Sequence, residues 1–468
     1  MIDPAFVTVL RRLGPASLLS VLVATSAGTL SAQDLPPIRT PTSIIPNYDR
    51  VLIGQMEALE GGAYVARTGN AGSNWYNPAG LAASEETSLN ASANAYEYTT
   101  IELEGLDSKF GSGRFRSAST FFGGVIGAPV LKGRDVRLGF SFTRPVVWSP
   151  GTVTGATRFE VGGESSAQVS YTSGVDLSTS VPALAAGFRI SDRFRVGASA
   201  GMAITSLRTS QTLTSRVVDL TGLTRGFRTI YVDGQTWDLS FGAGVQWDVS
   251  EAVRLGGTVN APGLRIAGSG IAEDQVVLGY AGNESVDLSM RDPEARFDYR
   301  EPFRLVGGVA VRLGAVELEA DVRHYGGRSE YALIETDSTV QVLVTDADGN
   351  LTQDRVATPD VRETARAVTN FAVGGNVPIP GGFRLHAGFF TDRSPVGTPG
   401  ASIFRSIDLT GVTAGISFGG RLTGSIGVSS SWGTSEERDV DPPVGGLPTG
   451  TRISIRTFNL HYALSYRF

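Results

Sequence analysis

Strict alternation of apolar and polar residues, repeated along most of the chain, is the feature that most constrains its fold. The clearest case is Val316–Arg323, where four aliphatic residues alternate with three acids and an arginine. A period of two puts successive side chains on opposite faces of a β-strand. Segments of this kind, mostly long enough to cross a bilayer at the tilt of a barrel strand, are predicted at about 87–100, 115–126, 135–148, 181–191, 194–207, 236–249, 252–265, 302–313, 316–326, 365–377, 382–393, 407–418, 421–433 and 452–468.

The connections between these segments alternate between short and long. Tight turns are predicted at 191–193, 250–252, 314–315, 378–381 and 419–420. Long polar stretches, read as outer loops, lie at 149–180, 208–235, 266–301, 327–364, 394–406 and 434–451. Short turns on one side of the membrane and longer loops on the other are typical of single-chain bacterial barrels, which also have an even number of strands. The sequence therefore predicts an all-β protein, a transmembrane antiparallel β-barrel of about 14 strands over residues 87–468.

Composition agrees with this fold class. No stretch beyond the N-terminus has the roughly 18 consecutive apolar residues of a membrane-spanning helix, whereas closed barrels satisfy all their backbone hydrogen bonds in lipid. The mean hydropathy is +0.01, as expected where lipid-facing and lumen-facing residues alternate. The chain has 59 glycines, no cysteine and a formal net charge of −6. Without a long basic run, nucleic acid is an improbable partner.

Both ends of the sequence point to export to an outer membrane of the Gram-negative type. Residues 1–32 resemble a signal peptide, with Arg11 and Arg12 before a short apolar stretch and small residues before a cleavage site at Ala32. The last segment, 452–468, alternates strictly and carries Tyr466 and a final Phe468. A terminal aromatic of this kind resembles the signal read by the outer-membrane barrel assembly machinery. As the closing strand, this segment is expected to pair with 87–100.

Residues 33–86 do not alternate. They are predicted to form a Pro-rich linker followed by a small-residue, partly helical hatch that folds into the lumen; a disordered tail is the alternative for the linker. Within the hatch lies the sequence Trp75-Tyr76-Asn77-Pro78-Ala79-Gly80-Leu81. Asn-Pro alone marks a turn, and Gly80 relaxes the backbone.

Just before the first strand of such a barrel, this motif resembles the hatch of the long-chain fatty-acid outer-membrane transporters (FadL/TodX type). That family shows aromatic-Asn-Pro-Ala-Gly-Leu at this point, matched by Tyr76 to Leu81. Residues 383–396 and 412–418 are similar to the family's late strands.

The resemblance implies passive uptake of hydrophobic compounds such as long-chain fatty acids. The ligand would bind in an apolar pocket against the hatch and leave sideways through a gap at the third strand. The local elements would then be Trp75, Tyr76, Asn77, Pro78, Ala79 and Gly80. Gly139 or Pro145 would interrupt the third strand, although Pro145 can also be a simple strand end.

The residues favour no enzyme, metal or cofactor. Ser199 and Ser417 lie in Gly-x-Ser-x-Gly matches but inside strands, whereas a nucleophile elbow needs a strand, a sharp turn and a helix. Asp346–Asn350 starts like a calcium loop but lacks the later glutamate and the flanking helices, and so favours a hairpin with an Asp-Gly tip. Charges expected to face the lumen are read as a paired network that steadies barrel and hatch: Glu317, Glu319, Asp321, Arg195, Arg254, Arg304 and Arg384.

The expected partners are a hydrophobic small molecule, the lipid bilayer with its lipopolysaccharide, and the barrel assembly machinery, with the protein as a monomer. Three other functions stay open at this stage: a diffusion porin for small polar solutes, a scaffold for secretion or lipoprotein handling, and an outer-membrane hydrolase that uses Ser199 or Ser417.

Overall fold

A computed structural model describes residues 47–84, 86–104, 114–126, 135–162, 165–219, 222–279, 285–346, 348–357, 361–396, 406–436 and 452–468. The predicted signal peptide and most of the predicted linker lie outside these residues. So do most of the predicted loops at 394–406 and 434–451.

The described residues form one antiparallel sheet that closes on itself, because β1 pairs with β20 along its whole length. The strands are β1 Ser88–Glu104, β2 Arg114–Ile126, β3 Val136–Gly162, β4 Ser165–Arg189, β5 Phe194–Asp219, β6 Gly222–Asp248, β7 Val253–Asn260, β8 Leu264–Gly279, β9 Ser285–Phe297, β10 Arg304–Leu313, β11 Val316–Tyr325, β12 Arg328–Glu335, β13 Thr339–Thr345, β14 Leu351–Ala357, β15 Val361–Ala365, β16 Val368–Ile379, β17 Phe383–Asp392, β18 Leu409–Gly419, β19 Leu422–Glu436 and β20 Arg452–Arg467.

The predicted barrel of 14 strands is confirmed. β7 and β8 follow one another along β6 and together form one barrel strand, and β9 with β10 forms the next. Each of the five predicted tight turns joins two paired strands. We call this side of the barrel the short-turn end and the opposite side the long-loop end.

The prediction of polar loops at 149–180, 208–235, 266–301 and 327–364 was wrong, since most of these residues belong to strands. β3 and β6 each have 27 residues and so extend about 90 Å at 3.3 Å per residue, far beyond a hydrocarbon core of about 30 Å. In these extensions the apolar residues face inward and form a buried cluster that includes Leu207, Ile230 and Phe297. Period-two alternation continues there, but with water outside and an apolar core inside.

The outer surface of the barrel wall is apolar. Large hydrophobic side chains are exposed on strand after strand, among them Phe241 on β6, Leu255 on β7, Leu305 on β10 and Phe371 on β16. A soluble protein rarely exposes an apolar surface of this extent, so the wall faces lipid. Among the residues that the structure describes, no helix is long and apolar enough to cross a membrane.

Residues 47–84, which we call the hatch, fill the lumen near the short-turn end. They contain the 3-10 helices Glu57–Glu60 and Pro78–Ala83 and the one-turn α-helix Ser73–Tyr76. Their small side chains, including Ala63, Ala66, Ala79 and Ala82, are buried. The sequence-based expectation of a hatch inside the barrel agrees with this arrangement.

A ring of wall glycines, which we call the glycine ring, makes room for the hatch. An added Cβ would lie within 3 Å of hatch atoms at Gly139, Gly187, Gly197, Gly244, Gly256, Gly308, Gly374, Gly388, Gly415 and Gly427. Several are direct partners across neighbouring strands, such as Gly187 with Gly197 and Gly374 with Gly388. At this level the hatch backbone therefore packs directly against the wall backbone.

Candidate functional site

The acidic face of β11 binds the hatch backbone. Asp321 accepts hydrogen bonds from the amides of Tyr64 and Val65 at 3.0 and 3.4 Å, and Glu319 accepts one from the amide of Ala66 at 2.6 Å. Charged acceptors make stronger hydrogen bonds than neutral ones. The alternating acids that marked this segment in the sequence therefore hold the hatch in place.

Glu60 contacts one charged side chain of the hatch and two polar side chains of the wall. It pairs with Arg67, accepts a hydrogen bond from Asn376 at 3.0 Å, and lies 2.6 Å from His386 Nδ1. Arg67 also pairs with Glu319 at 3.0 Å. Removing one member of such a buried pair strands an uncompensated charge, which typically costs about 3–5 kcal/mol.

The pKa values of two neighbouring hatch carboxyls are shifted in opposite directions. Burial raises the pKa of Glu57, whose carboxylate accepts the amide of Gln55 at 2.7 Å. Burial alone would also raise the pKa of Glu60, but the hydrogen bond with His386 and the charge of Arg67 outweigh it and lower that pKa. Glu60 is therefore held in its charged form in the hatch.

Asn77 ties the hatch motif to the wall. Its side-chain amide donates to the carbonyls of Val65 and Val245 at 2.8 and 2.9 Å, and its oxygen accepts the amide of Ala79 at 3.1 Å. It is completely buried. Asn77 thus caps the 3-10 helix Pro78–Ala83 and joins two hatch segments to β6.

Most of the other predicted motif residues also hold the hatch in place. Tyr76 donates its hydroxyl to the carbonyl of Ile53 at 2.8 Å. Ala79 is fully buried, and a Cβ on Gly80 would lie 2.4 Å from the carbonyl oxygen of Thr68. Gly139 is paired on both sides of β3, and its missing Cβ leaves room for the amide of Asn74.

Trp75, Pro78 and Pro145 line a cavity between the hatch and the wall strands β3 to β7. The cavity has a volume of about 130 Å³, close to the roughly 150 Å³ of an apolar cavity that binds benzene. Aromatic walls are supplied by Trp75, Tyr299 and Tyr325, and hydroxyl and amide groups by Ser141, Thr258 and Asn260. Pro145 lies in the register shift of β3, just where its pairing with β2 ends at Thr143.

Arg304 contributes the cationic group of this cavity. Its guanidinium lies 5.3 Å from the ring centre of Trp75 and 5.9 Å from that of Tyr325, within the range of cation–π attraction. Its Nε is buried without a hydrogen-bond partner. The paired network expected of the lumen charges is therefore present for Arg195, which pairs with Asp248, but Arg304 has aromatic neighbours instead.

Sequence reasoning missed Tyr48, Tyr299, Glu301 and Tyr325 as cavity residues. Tyr299 and Glu301 lie in the coil 298–303 between β9 and β10, which the sequence had placed partly in a loop, and Tyr325 ends β11 opposite Arg304. Pro302, at the start of the predicted strand, was the available signal that pairing stops there.

Ser417, His386 and Glu60 form a hydrogen-bonded chain in the order of a hydrolytic triad. His386 Nε2 lies 2.8 Å from Ser417 Oγ, and its Nδ1 faces Glu60. All three are at most 4% exposed between hatch and wall, and Ser417 lies inside β18 rather than on a nucleophile elbow. The chain holds the hatch against β17 and β18, while Ser199, the other candidate serine, lines the cavity.

Two further predicted features have different outcomes. β13 and β14 form the expected hairpin at Asp346–Asn350, with both Asp346 oxygens bound to Asn350 and Gly349 at φ +82°. Among the described residues, no cluster of metal-ligating side chains is found. Tyr466 and Phe468 pack edge to face at 4.9 Å on the closing strand, away from the cavity residues, and their role in assembly stays a prediction.

The fold and the cavity define a transmembrane β-barrel closed by an internal hatch. No protein-family model and no curated protein matches the sequence. Solved structures of outer-membrane channels share the fold, and three of them are compared with this chain. A FadL homologue of Pseudomonas aeruginosa has 14% identity and a TM-score of 0.58, with 90% of this chain and 100% of that chain covered.

The toluene transporter TodX of P. putida has 16% identity and a TM-score of 0.57, covering 89% and 98% of the two chains. The CymD monoaromatic hydrocarbon channel has 14% identity and a TM-score of 0.53, covering 89% and 97%. The chain thus has the fold of the FadL/TodX type of outer-membrane channel, as the hatch motif suggested.

Proposed function

We propose that this protein takes up hydrophobic compounds across the outer membrane by passive diffusion, with the hatch gating an aromatic-lined cavity. The observation that carries the proposal is the cavity itself, enclosed between Trp75 and Pro78 of the hatch and the wall. Its size suits a single aromatic ring or the end of an acyl chain. The names of the similar structures, which refer to toluene and monoaromatic hydrocarbons, support this class of ligand.

Lateral exit at the third strand is part of this proposal. Beyond Thr143 and Phe121, β3 has no ladder to β2 among the described residues, and Pro145 stands at that point beside the cavity. An apolar ligand gains little from a watery pore and is stabilised by transfer into lipid at about 25 cal/mol per Å² of apolar surface. The hatch at one end and the apolar cluster at the other favour a closed lumen over an open diffusion pore.

The test compares two tryptophans in ligand binding. Trp75 lines the cavity, whereas Trp432 lies 45% exposed on the outer face of β19. Trp75→Ala should weaken the binding of toluene and palmitate by about tenfold, equivalent to 1.4 kcal/mol, because an aromatic wall is lost. Trp432→Ala should leave binding unchanged. A large steady conductance in planar bilayers, together with no binding of either compound to the unmodified protein, would contradict the proposal.

A further inference from the structure

The barrel wall has a second interruption on the opposite side of the cavity from β3. β7 and β10 pair as far as Asn260 and Arg304, and β8 and β9 resume pairing at Gly270 and Ala295. Between these points no ladder joins residues 261–269 to residues 296–303, all of which the structure describes. We call this interruption the side gap.

The chain on each side of the side gap stays bound to its other neighbour. Leu264 still pairs with Leu239 of β6, and the amide of Ala261 donates to the carbonyl of Phe241 at 3.0 Å. On the other side of the side gap, the amide of Asp298 donates to the carbonyl of Leu333 in β12 at 2.8 Å. β9 ends by pairing with β12, so it diverges from β8. The gap is therefore a local separation of two barrel strands, and each strand remains anchored.

The side gap joins the cavity to the lipid-facing surface. The cavity is lined by Asn260 and Ala261 on one edge of the gap and by Glu301, Pro302 and Arg304 on the other. Large apolar side chains face outward around the gap: Leu264 and Ile266 on β8 and Phe303 and Leu305 beside β10. A ligand at this level has apolar surface on both sides of the wall.

One side chain, Arg265, spans the side gap. It donates to the carbonyls of Phe297 and Tyr299 at 3.1 and 2.7 Å across the gap and pairs with Asp298 there at 2.5 Å. On its own side it pairs with Asp238 of β6 at 2.7 Å. The guanidinium of Arg265 thus makes hydrogen bonds where the backbone ladder is missing, and beside it the backbone of Gly268 packs closely against Phe297, where an added Cβ would lie 2.1 Å from the carbonyl oxygen. Because the contacts of Arg265 are made by a long side chain, they can break without disturbing a strand.

We infer that the side gap is a second lateral opening, through which hydrophobic ligands pass between the cavity and the surrounding lipid, and that Arg265 closes it. This inference rests on the proposed uptake function and adds a route that does not use β3. Both routes meet at the same cavity, since Pro145 and Pro302 line it together.

Reversible cross-linking tests the opening in a chain that has no cysteine of its own. Ala261→Cys with Pro302→Cys would be joined across the side gap by a short, reducible thiol-reactive linker. A control pair, Leu255→Cys with Val309→Cys, joins two partners in the intact ladder between β7 and β10. A third pair, Thr120→Cys with Arg144→Cys, would close the route at β3.

Passage of toluene from the protein into liposomes is measured before and after reduction of each linker. Because each pair closes one of two parallel routes, we expect the linker across the side gap, like the linker at β3, to slow passage about twofold, with full recovery on reduction. The control linker should change nothing. Unchanged passage with the side gap linked, in a protein that still transports, overturns the inference and leaves the proposed function standing. Absence of binding and passage in the unlinked protein refutes both.

Arg265→Ala provides an independent measurement. Loss of its contacts should speed passage several-fold, whereas Arg208→Ala, which removes an exposed pair with Asp233 on β5 and β6, should not. Equal rates for Arg265→Ala and the unmodified protein would show that Arg265 does not close the route. Heat-modifiable migration of each variant on gels verifies that the barrel has formed.

Discussion

Glu60 shows at the scale of one residue how the hatch is held. Its carboxylate is fully buried yet charged, because Arg67, Asn376 and His386 surround it. The pKa of Glu60 is lowered in the folded protein. The stabilisation of the hatch by the charged carboxylate is therefore fully present above pH 4.5, the ordinary pKa of a glutamate, and it is lost as the pH falls through the lowered pKa. Glu57 has a raised pKa, so protonation favours its buried form and acts in the opposite direction.

Acid should therefore release the hatch through Glu60. We expect the steady current through planar bilayers to be small at pH 7 and to increase as the pH falls below about 4.5. Glu60→Gln should give a larger current at pH 7 and a weaker response to acid. Glu57→Gln serves as the control and should keep the response to acid. A pH response of Glu60→Gln equal to that of the unmodified protein would assign the effect to other groups.

Two variants of Asn77 separate the effect of the hydrogen bonds that its side chain donates from the effect of the one that it accepts. Asn77→Asp keeps the acceptor for Ala79 but loses both donated bonds, and Asn77→Ala loses all three. Leaving a buried carbonyl unpaired costs about 1–3 kcal/mol, so both variants should destabilise the hatch, with Asn77→Ala affected more. Protease sensitivity of the hatch in detergent would measure this, and resistance equal to that of the unmodified protein in both variants would show that Asn77 is dispensable.

At the scale of elements, the glycine ring sets the distance between hatch and wall. Gly256 and Gly257 are consecutive residues of β7, so side chains at these two positions would point to opposite faces of the barrel wall. A Cβ on Gly256 would lie 2.4 Å from the Ala66 backbone, whereas one on Gly257 would meet its closest atom at 3.6 Å. One strand thus carries both a position that requires glycine and one that tolerates a side chain.

Gly256→Ala should consequently displace the hatch, and Gly257→Ala should not. The first variant should show a raised steady conductance with a normally folded barrel, because the added methyl meets backbone that cannot rotate away. Conductance in planar bilayers with the two variants side by side provides the measurement. Identical conductance would mean that the hatch shifts without opening a path.

At the scale of the whole molecule, the same alternation of apolar and polar residues is found where the strands face lipid and where they face water. In the membrane the apolar residues face outward to lipid, as Leu184 does at 70% exposure, whereas beyond it they face inward, as Leu207 does at 2%. The long strands β3 to β6 therefore pass from a barrel wall into the wall of an apolar core and stay paired with their neighbours on both sides of the register shift at Thr143 and Val146.

Leu207→Ala and Leu184→Ala make equal changes in these two environments. Leu207→Ala leaves a cavity in the buried cluster and should lower the free energy of unfolding of that part by about 2–5 kcal/mol. Leu184→Ala removes a lipid contact and should cost less. Thermal unfolding in detergent, followed by circular dichroism, compares them, and an equal loss in both would argue against a packed core at the long-loop end.

The sequence predicted the barrel strands well because period-two alternation is a local property. It misjudged 149–180 and 208–235 because the outward side chains that the structure describes there are mostly Ser, Thr and Arg, a composition shared by loops and water-facing strands. It placed Arg304 correctly toward the lumen but not beside Trp75 and Tyr325, which are 229 and 21 residues away in the chain.

The sequence by itself determined the closed antiparallel barrel, its tight turns, the pairing of its first and last strands and the internal hatch. These follow from alternation and turn chemistry, which act over a few residues. Only the tertiary structure decided the cavity, the chain of contacts around Glu60 and the side gap spanned by Arg265. Their physical cause is the meeting of distant strands, where the end of one ladder and the close approach of the hatch depend on the whole closed sheet.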